Sequence, residues 1–295
     1  MFYTPVKYNE PVFRPPGEAN SAIIQATLGC SWNKCAFCEM YTSKTFRIKK
    51  FEDLQTEIKL LAQYYGGVKK VFLADGNAFV LSSNYLIPIL KEINQQFGKI
   101  QRISSYALPG DILNKTDKEL AEIHSLGLKL LYIGIESGDD ELLGYIHKSE
   151  TFQSTLDGII KAQQAGIDVS VMVLNGLGGK KYSRQHAINT AKLITQVNPK
   201  FLSTLTLSFP FGLEHYQARF GGEYIPQTIV ELAMELRLFI EHTNIKDTIF
   251  RSDHVSNNLV LKGILSKDKE LLLQTIQAAI DSMDDGLYPT LPPVL

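Results

Sequence analysis

Seven short apolar runs, each followed by enough chain for a helix, constrain this chain more than any other feature. They are AIIQATL (22–28), KKVFLAD (69–75), RISSYAL (102–108), LKLLYIGIE (128–136), DVSVMVL (168–174), FLSTLTLSF (201–209) and DTIFRS (247–252). Most are apolar on both faces, as strands of a parallel sheet covered on both sides must be. Helical patterns lie between them. EDLQTEIKLLAQYY sets Leu54, Ile58, Leu61, Ala62 and Tyr65 on one stripe, and Gly66-Gly67 ends it. TDKELAEIHSLG opens with Thr116 and Glu119 at capping-box spacing and closes at Gly127. Similar signals bracket Thr151 to Gly166, and Thr228 with Glu231 starts another box before LAMELRLFIEH.

Strand followed by helix, repeated without a linker-like break, is the rhythm of successive βα units. The expected fold is α/β, a complete or partial (β/α) TIM-like barrel of parallel strands with irregular N- and C-terminal extensions. A doubly wound open sheet is the structural alternative. The expected boundaries are an N-terminal extension over 1–20, one barrel domain over 21–283 and a Pro-rich tail over 284–295. The tail's prolines cannot continue the preceding helix, which leaves it disordered or strapped across the barrel.

A hydrophobic share of 44% and a charged share of 21% belong to an ordinary soluble protein, and no apolar run is long enough to cross a bilayer. The N-terminus carries prolines and charges where a secretory signal needs an apolar stretch, so the cytoplasm is the expected compartment. A net charge of −1 gives no global attraction for nucleic acid; the basic runs at 47–50 and 179–184 read as solvated surface.

All three cysteines fall in GCSWNKCAFC (29–38), spaced Cys30-x4-Cys35-x2-Cys38 just after the first strand. Barrel enzymes place their chemistry at that end of a strand. An odd, clustered set of thiols points to metal or redox chemistry before structural bridging. Three soft thiolates suit iron-sulfur or zinc. On a [4Fe-4S] cluster they would bind three irons and leave the fourth open to a substrate or cofactor. A structural zinc site would need a fourth ligand, such as His124, from elsewhere in the fold.

The segment ATLGCSWNKCAFCEMY, with Phe37 immediately before the last cysteine, resembles the cluster loop of radical S-adenosylmethionine (SAM) enzymes. The resemblance extends over roughly residues 20 to 265, although most members have three residues between the first two cysteines and this chain has four. Together with the RPP before the first strand and the MY after Cys38, the segment is similar to a bacterial subgroup related to the coproporphyrinogen-oxidase-like branch. The resemblance implies that SAM chelates the open iron and that one electron cleaves it to methionine and a radical that takes a hydrogen atom from a substrate. It also implies a low-potential electron donor such as a flavodoxin or ferredoxin, and a small-molecule substrate. Such chemistry needs a dry, closed cavity.

The same resemblance assigns further residues to SAM. Asp75-Gly76-Asn77, after the second strand, stands where the superfamily has a glycine-rich turn that receives the SAM amino group; DGN is equally good turn chemistry. Glu136 and Ser137, in IGIESGDDELL, match a segment with a polar SAM contact, while an acid there also suits the next helix N-terminus. Gly176 and Gly178 match a glycine motif that packs on adenine, and a tight βα turn explains them as well. In TIFRSDHVSNN, the residues Arg251, Asp253, His254 and Asn257 crowd a late strand end and allow charge pairing and proton transfer, which makes them a candidate substrate site.

With every thiol spent in one loop, no cysteine remains for a second cluster or a methyl-carrying role. That argues against methylthiotransferases and auxiliary-cluster maturases, and the length leaves no room for an appended cobalamin domain. The competing classes are an iron-sulfur electron carrier or sensor, which would normally fill all four irons with protein ligands, and a zinc-stabilised binding module.

Overall fold

The computed structural model describes residues 4–284 and 286–289. The chain divides into two compact units: one holds the chain up to Asn33 with 38–133 and 157–169, and the other holds 34–37, 134–156 and the chain from Ser170. In chain order the first elements are β1 (Ala22–Gln25), β2 (Thr27–Leu28), β3 (Arg47–Ile48), α1 (Phe51–Tyr64), β4 (Lys70–Ala74), α2 (Ser83–Phe97), β5 (Arg102–Tyr106), α3 (Pro109–Leu113) and α4 (Asp117–Ser125). There follow β6 (Leu128–Glu136), α5 (Asp140–Tyr145), α6 (Phe152–Gln164), β7 (Asp168–Asn175), α7 (Gly179–Val197) and β8 (Phe201–Thr206). The last are α8 (Leu213–Arg219), α9 (Ile229–His242), β9 (Ile249–Ser252), β10 (Leu261–Ile264) and α10 (Leu265–Ser282).

Eight strands form one sheet in the order β1-β4-β5-β6-β7-β8-β9-β10. The pairs β1/β4, β4/β5, β5/β6, β7/β8 and β8/β9 are parallel, so the α/β reading of the sequence holds. Two details differ from it. The run 22–28 breaks after Gln25, and Thr27–Leu28 turns away to pair antiparallel with β3, Thr27 opposite Ile48 and Leu28 opposite Arg47. An eighth strand, β10, pairs antiparallel with β9; with four residues and an internal glycine, LKGI carries too little pattern to be read as a strand.

In the first unit the core lies between the sheet and its helices. Leu54, Ile58 and Leu61 of α1, Leu86, Ile89, Leu90 and Ile93 of α2, and Ile24, Val71, Leu73 and Ile103 of the strands are all fully buried. Each such side chain contributes about 1.5–3 kcal/mol of burial. The chain before β1 is tied into this unit: fully buried Glu18 accepts from Arg102 at 2.6 Å and from the Tyr132 hydroxyl at 2.7 Å, and Asn9 exchanges hydrogen bonds with the Gln25 amide. Both capping boxes form, at Thr116/Glu119 and Thr228/Glu231, and Gly127 takes the left-handed conformation that ends α4. Thr116→Ala should therefore cost about 1 kcal/mol in urea unfolding without altering the far-ultraviolet spectrum.

In the second unit α9 buries Leu232, Leu236, Phe239 and Ile240, and α7 buries His186, Ala187, Thr190 and Ile194. After α10, the Leu287 carbonyl accepts from the Ile229 amide at 2.8 Å, supplying one partner to the first turn of α9. The tail's prolines 292 and 293 lie outside the described residues.

Candidate functional site

The short β2/β3 ladder closes the base of the 29–46 loop that carries the cysteines, whose thiols are all half-buried. Within the first unit this loop is held by Asp75. Its fully buried carboxylate accepts through Oδ2 from the Lys44 ammonium at 2.6 Å, the Gly29 amide at 3.0 Å and Gln25 Nε2 at 3.2 Å. Lys44 also donates to the Asn9 carbonyl at 2.6 Å. A glycine is required next. A Cβ on Gly76 would stand 2.7 Å from the Tyr41 ring and 2.9 Å from Cys30 Cβ, so the 75–77 turn packs directly on the first cysteine. Asn77 donates to Ser31 Oγ at 3.0 Å and to Asp111. Burial first, then the Asp75 charge, raises the Tyr41 phenol above its ordinary pKa and keeps it protonated beside the loop.

Among the described residues, two acceptor atoms in this turn have no hydrogen-bond donor: Asp75 Oδ1 and Asn77 Oδ1, both buried. Buried acceptors are nearly always satisfied, so a site that leaves two of them open is suited to a donor-rich ligand group such as an ammonium. Among the described residues no three His, Cys, Asp or Glu groups converge on a single-ion position. Ligands that each bind a different iron of a cluster have no need to.

Segment 34–37 belongs to the second unit. Ala36 is buried with Leu142, Ile146, Tyr182, Tyr216 and Phe220, and Phe37 packs against this group. The Ala36 amide donates to the Ile146 carbonyl at 2.9 Å, and Arg219 Nη2 donates to the Cys35 carbonyl at 2.8 Å. Glu136, in the left-handed region at φ 62°, pairs through Oε1 with Lys148 at 3.1 Å; Lys148 also donates to the Gly134 carbonyl and stands 5.9 Å from the Phe37 ring centroid.

Ser137 turns into the helix-packed layer. Its Oγ accepts from the Asp139 amide at 3.0 Å and lies 2.8 Å from His186 Nδ1, whose Nε2 is 3.7 Å from Glu235. Glu235 in turn accepts from the Gly176 amide at 2.6 Å, so this buried chain ties the turn after β6 to the turn after β7. Gly176 is left-handed at φ 82°, and Gly178 is the residue before α7. The sequence reading named the two turns but not His186 and Glu235, which lie 49 and 59 residues from their partners.

The four polar residues at the end of β9 and just beyond it separate into different contacts. Arg251 is exposed and pairs with Asp253 at 3.8 Å, while Lys262 of β10 reaches Asp253 at 3.0 Å; such solvated pairs are worth about 0–1 kcal/mol. Asn257 is stitched to β8 through the Thr204 carbonyl and the Thr206 hydroxyl. His254 Nδ1 accepts from the Ser256 amide at 3.2 Å. Burial lowers the His254 pKa from its ordinary 6.5, and the Asp253 charge partly opposes that. The stability the neutral ring contributes is therefore complete above pH 6.5 and lost as the pH falls below it. An NMR titration should place His254 below an exposed histidine, and Asp253→Asn should lower it further.

The family profile described as the radical SAM superfamily matches residues 24–194, more than half of the chain. The chain belongs to the radical SAM superfamily. Its relatives include a Methanocaldococcus jannaschii protein assigned by name to the methylthiotransferases, 28% identical over 156 residues. That match covers 50% of this chain and 33% of the relative. Another is hopanoid C-3 methylase of Methylococcus capsulatus, 22% identical over 157 residues, covering 52% of this chain and 28% of that protein. The matches thus span about a third of the length of these curated relatives. In fold, this radical SAM protein is similar to coproporphyrinogen III oxidase from Escherichia coli, with a TM-score of 0.59 and 16% identity over 75% of this chain and 52% of that one. It is also similar to methylornithine synthase, with a TM-score of 0.53 and 15% identity over 93% of this chain and 72% of that one.

Proposed function

We propose that the chain is an enzyme that binds a [4Fe-4S] cluster through Cys30, Cys35 and Cys38 and SAM at the remaining iron. When bound, the reduced cluster supplies the electron that cleaves SAM, and hydrogen abstraction from a small-molecule substrate follows. The donor set fits the cluster: three soft thiolates in one loop, none in the rest of the chain. What supports the SAM half most is the pair of buried acceptors without donors, Asp75 Oδ1 and Asn77 Oδ1, on the turn that packs against Cys30.

The residues divide between binding and holding. Asp75 keeps Oδ2 on Lys44 and Gly29, and offers Oδ1 with Asn77 Oδ1 to the SAM ammonium. Gly76 permits the close packing, and Phe37 fixes the cysteine segment by docking among the aromatics. Glu136 contacts SAM with its orientation set by Lys148, whereas Ser137 acts through the turn it holds with His186. Gly176 and Gly178 bring backbone to the adenine. Arg251, Asp253 and His254 are the substrate-side groups. A flavodoxin- or ferredoxin-like donor supplies electrons, and the cytoplasm is the proposed compartment; among the described residues no helix is long and apolar enough to cross a membrane.

The relatives' names suggest methyl or methylthio transfer as an end use, but this chain has no cysteine outside the loop to carry such a group. Anaerobic reconstitution with iron and sulfide tests the proposal. Dithionite plus SAM should yield 5′-deoxyadenosine from the loaded protein; tight zinc occupancy with no SAM cleavage would refute it.

A further inference from the structure

The connection from β8 to α9 carries a helix, α8, whose last residue reaches the cysteine loop. Arg219 Nη2 donates to the Cys35 carbonyl at 2.8 Å across 184 residues of sequence. The amide of that same Cys35–Ala36 peptide donates to the Ile146 carbonyl at 2.9 Å. Both polar groups of the peptide that follows Cys35 are therefore held, one of them by a full positive charge.

Arg219 is half-buried, and its neighbours in and just after α8 are well packed: Tyr216 and Phe220 are buried rings with centroids 5.6 Å apart, and the Tyr216 hydroxyl donates to the Leu177 carbonyl at 2.8 Å. Holding a loop carbonyl needs only a neutral donor, and a glutamine would serve. A guanidinium adds a full positive charge, partly screened from water.

We infer that Arg219 sets the reduction potential of the cluster bound at Cys35; the inference rests on the cluster assignment proposed above. One-electron reduction adds one negative charge to the cluster and makes or breaks no bond, the electron coming from a low-potential donor such as dithionite. A cation fixed on the Cys35 peptide stabilises the more negative, reduced state, and cluster potentials follow local charge and hydrogen bonding. Arg219 is thus a positioning and tuning residue that touches a ligand's backbone.

The test is an EPR-monitored redox titration of the full chain, reconstituted with iron and sulfide, as wild type, Arg219→Lys and Arg219→Gln. Gln keeps a donor and removes the charge; Lys keeps the charge. At a potential that reduces half of the wild-type cluster, the reduced-to-oxidised ratio should fall roughly three- to tenfold in Arg219→Gln and stay near wild type in Arg219→Lys. Equal midpoints for Gln and wild type at equal iron content would overturn the inference. So would loss of iron from Gln alone, which would make Arg219 a residue that merely holds the loop. Failure of the cluster assignment is distinguishable, because it would appear in the wild-type protein as no [4Fe-4S] signal before any variant is compared, and it would overturn this inference as well.

Discussion

Replacing Cys30, Cys35 or Cys38 singly by alanine should lower iron content and SAM cleavage by about 100-fold or more, since even residues one shell removed from a metal cost 10–100-fold. The expectation follows from how few donors the chain has. All three thiols lie in one loop and no other cysteine exists to substitute, so losing one leaves two irons without a protein ligand. The thiols are half-buried, and the loop is tied elsewhere by Asp75, by the Ala36 amide and by the β2/β3 ladder. Alanine should therefore leave the apo fold intact, with urea midpoints close to wild type. Iron and sulfide assays beside unfolding curves separate lost ligation from lost fold. A variant that keeps its iron would remove that cysteine from the ligand set.

The second large effect concerns the ion pair beneath the loop. Lys44 and Asp75 have side chains only 3% and 0% exposed, at 2.6 Å. Breaking a buried pair leaves an uncompensated charge and costs about 3–5 kcal/mol, whereas neutralising both partners costs far less. Lys44→Met should accordingly lower the unfolding free energy by about that amount. The double variant Lys44→Met/Asp75→Asn, which keeps an acceptor for the Gly29 amide, should recover most of it. A double variant as unstable as Lys44→Met would show that the pair's charge is not the issue and that Lys44 contributes through packing. In the Lys44→Met background the weakened loop should also take up cluster more slowly, which reconstitution kinetics would record.

Local signals were legible in the sequence. The capping boxes at Thr116 and Thr228, the stripe on α1 and the cysteine spacing all depend on residues within a few positions of one another, where period and cap chemistry act. The parallel sheet was legible because its strands are apolar on both faces. What the sequence hides is contact at long separation. Lys44 meets Asp75 across 31 residues, Ser137 meets His186 across 49, and Arg219 meets Cys35 across 184. None of these carries a periodic or spacing signature, because a single polar contact in three dimensions leaves no pattern in one. The turn at 75–77 shows the mixture: DGN reads as a turn, but only the fold reveals that one Asp75 oxygen holds Gly29 while the other lacks a donor among the described residues. Likewise, the cluster of Arg251, Asp253, His254 and Asn257 is close in sequence, yet the fold sends Asn257 to β8 and leaves Arg251 in solvent.

The central claim is a cluster with one iron open to SAM. EPR of the anaerobically reconstituted, dithionite-reduced chain, recorded with and without SAM, tests it most directly. The chain should hold about four irons and four sulfides, give a reduced-cluster signal, and change that signal when SAM is added. A cluster signal indifferent to saturating SAM would contradict it.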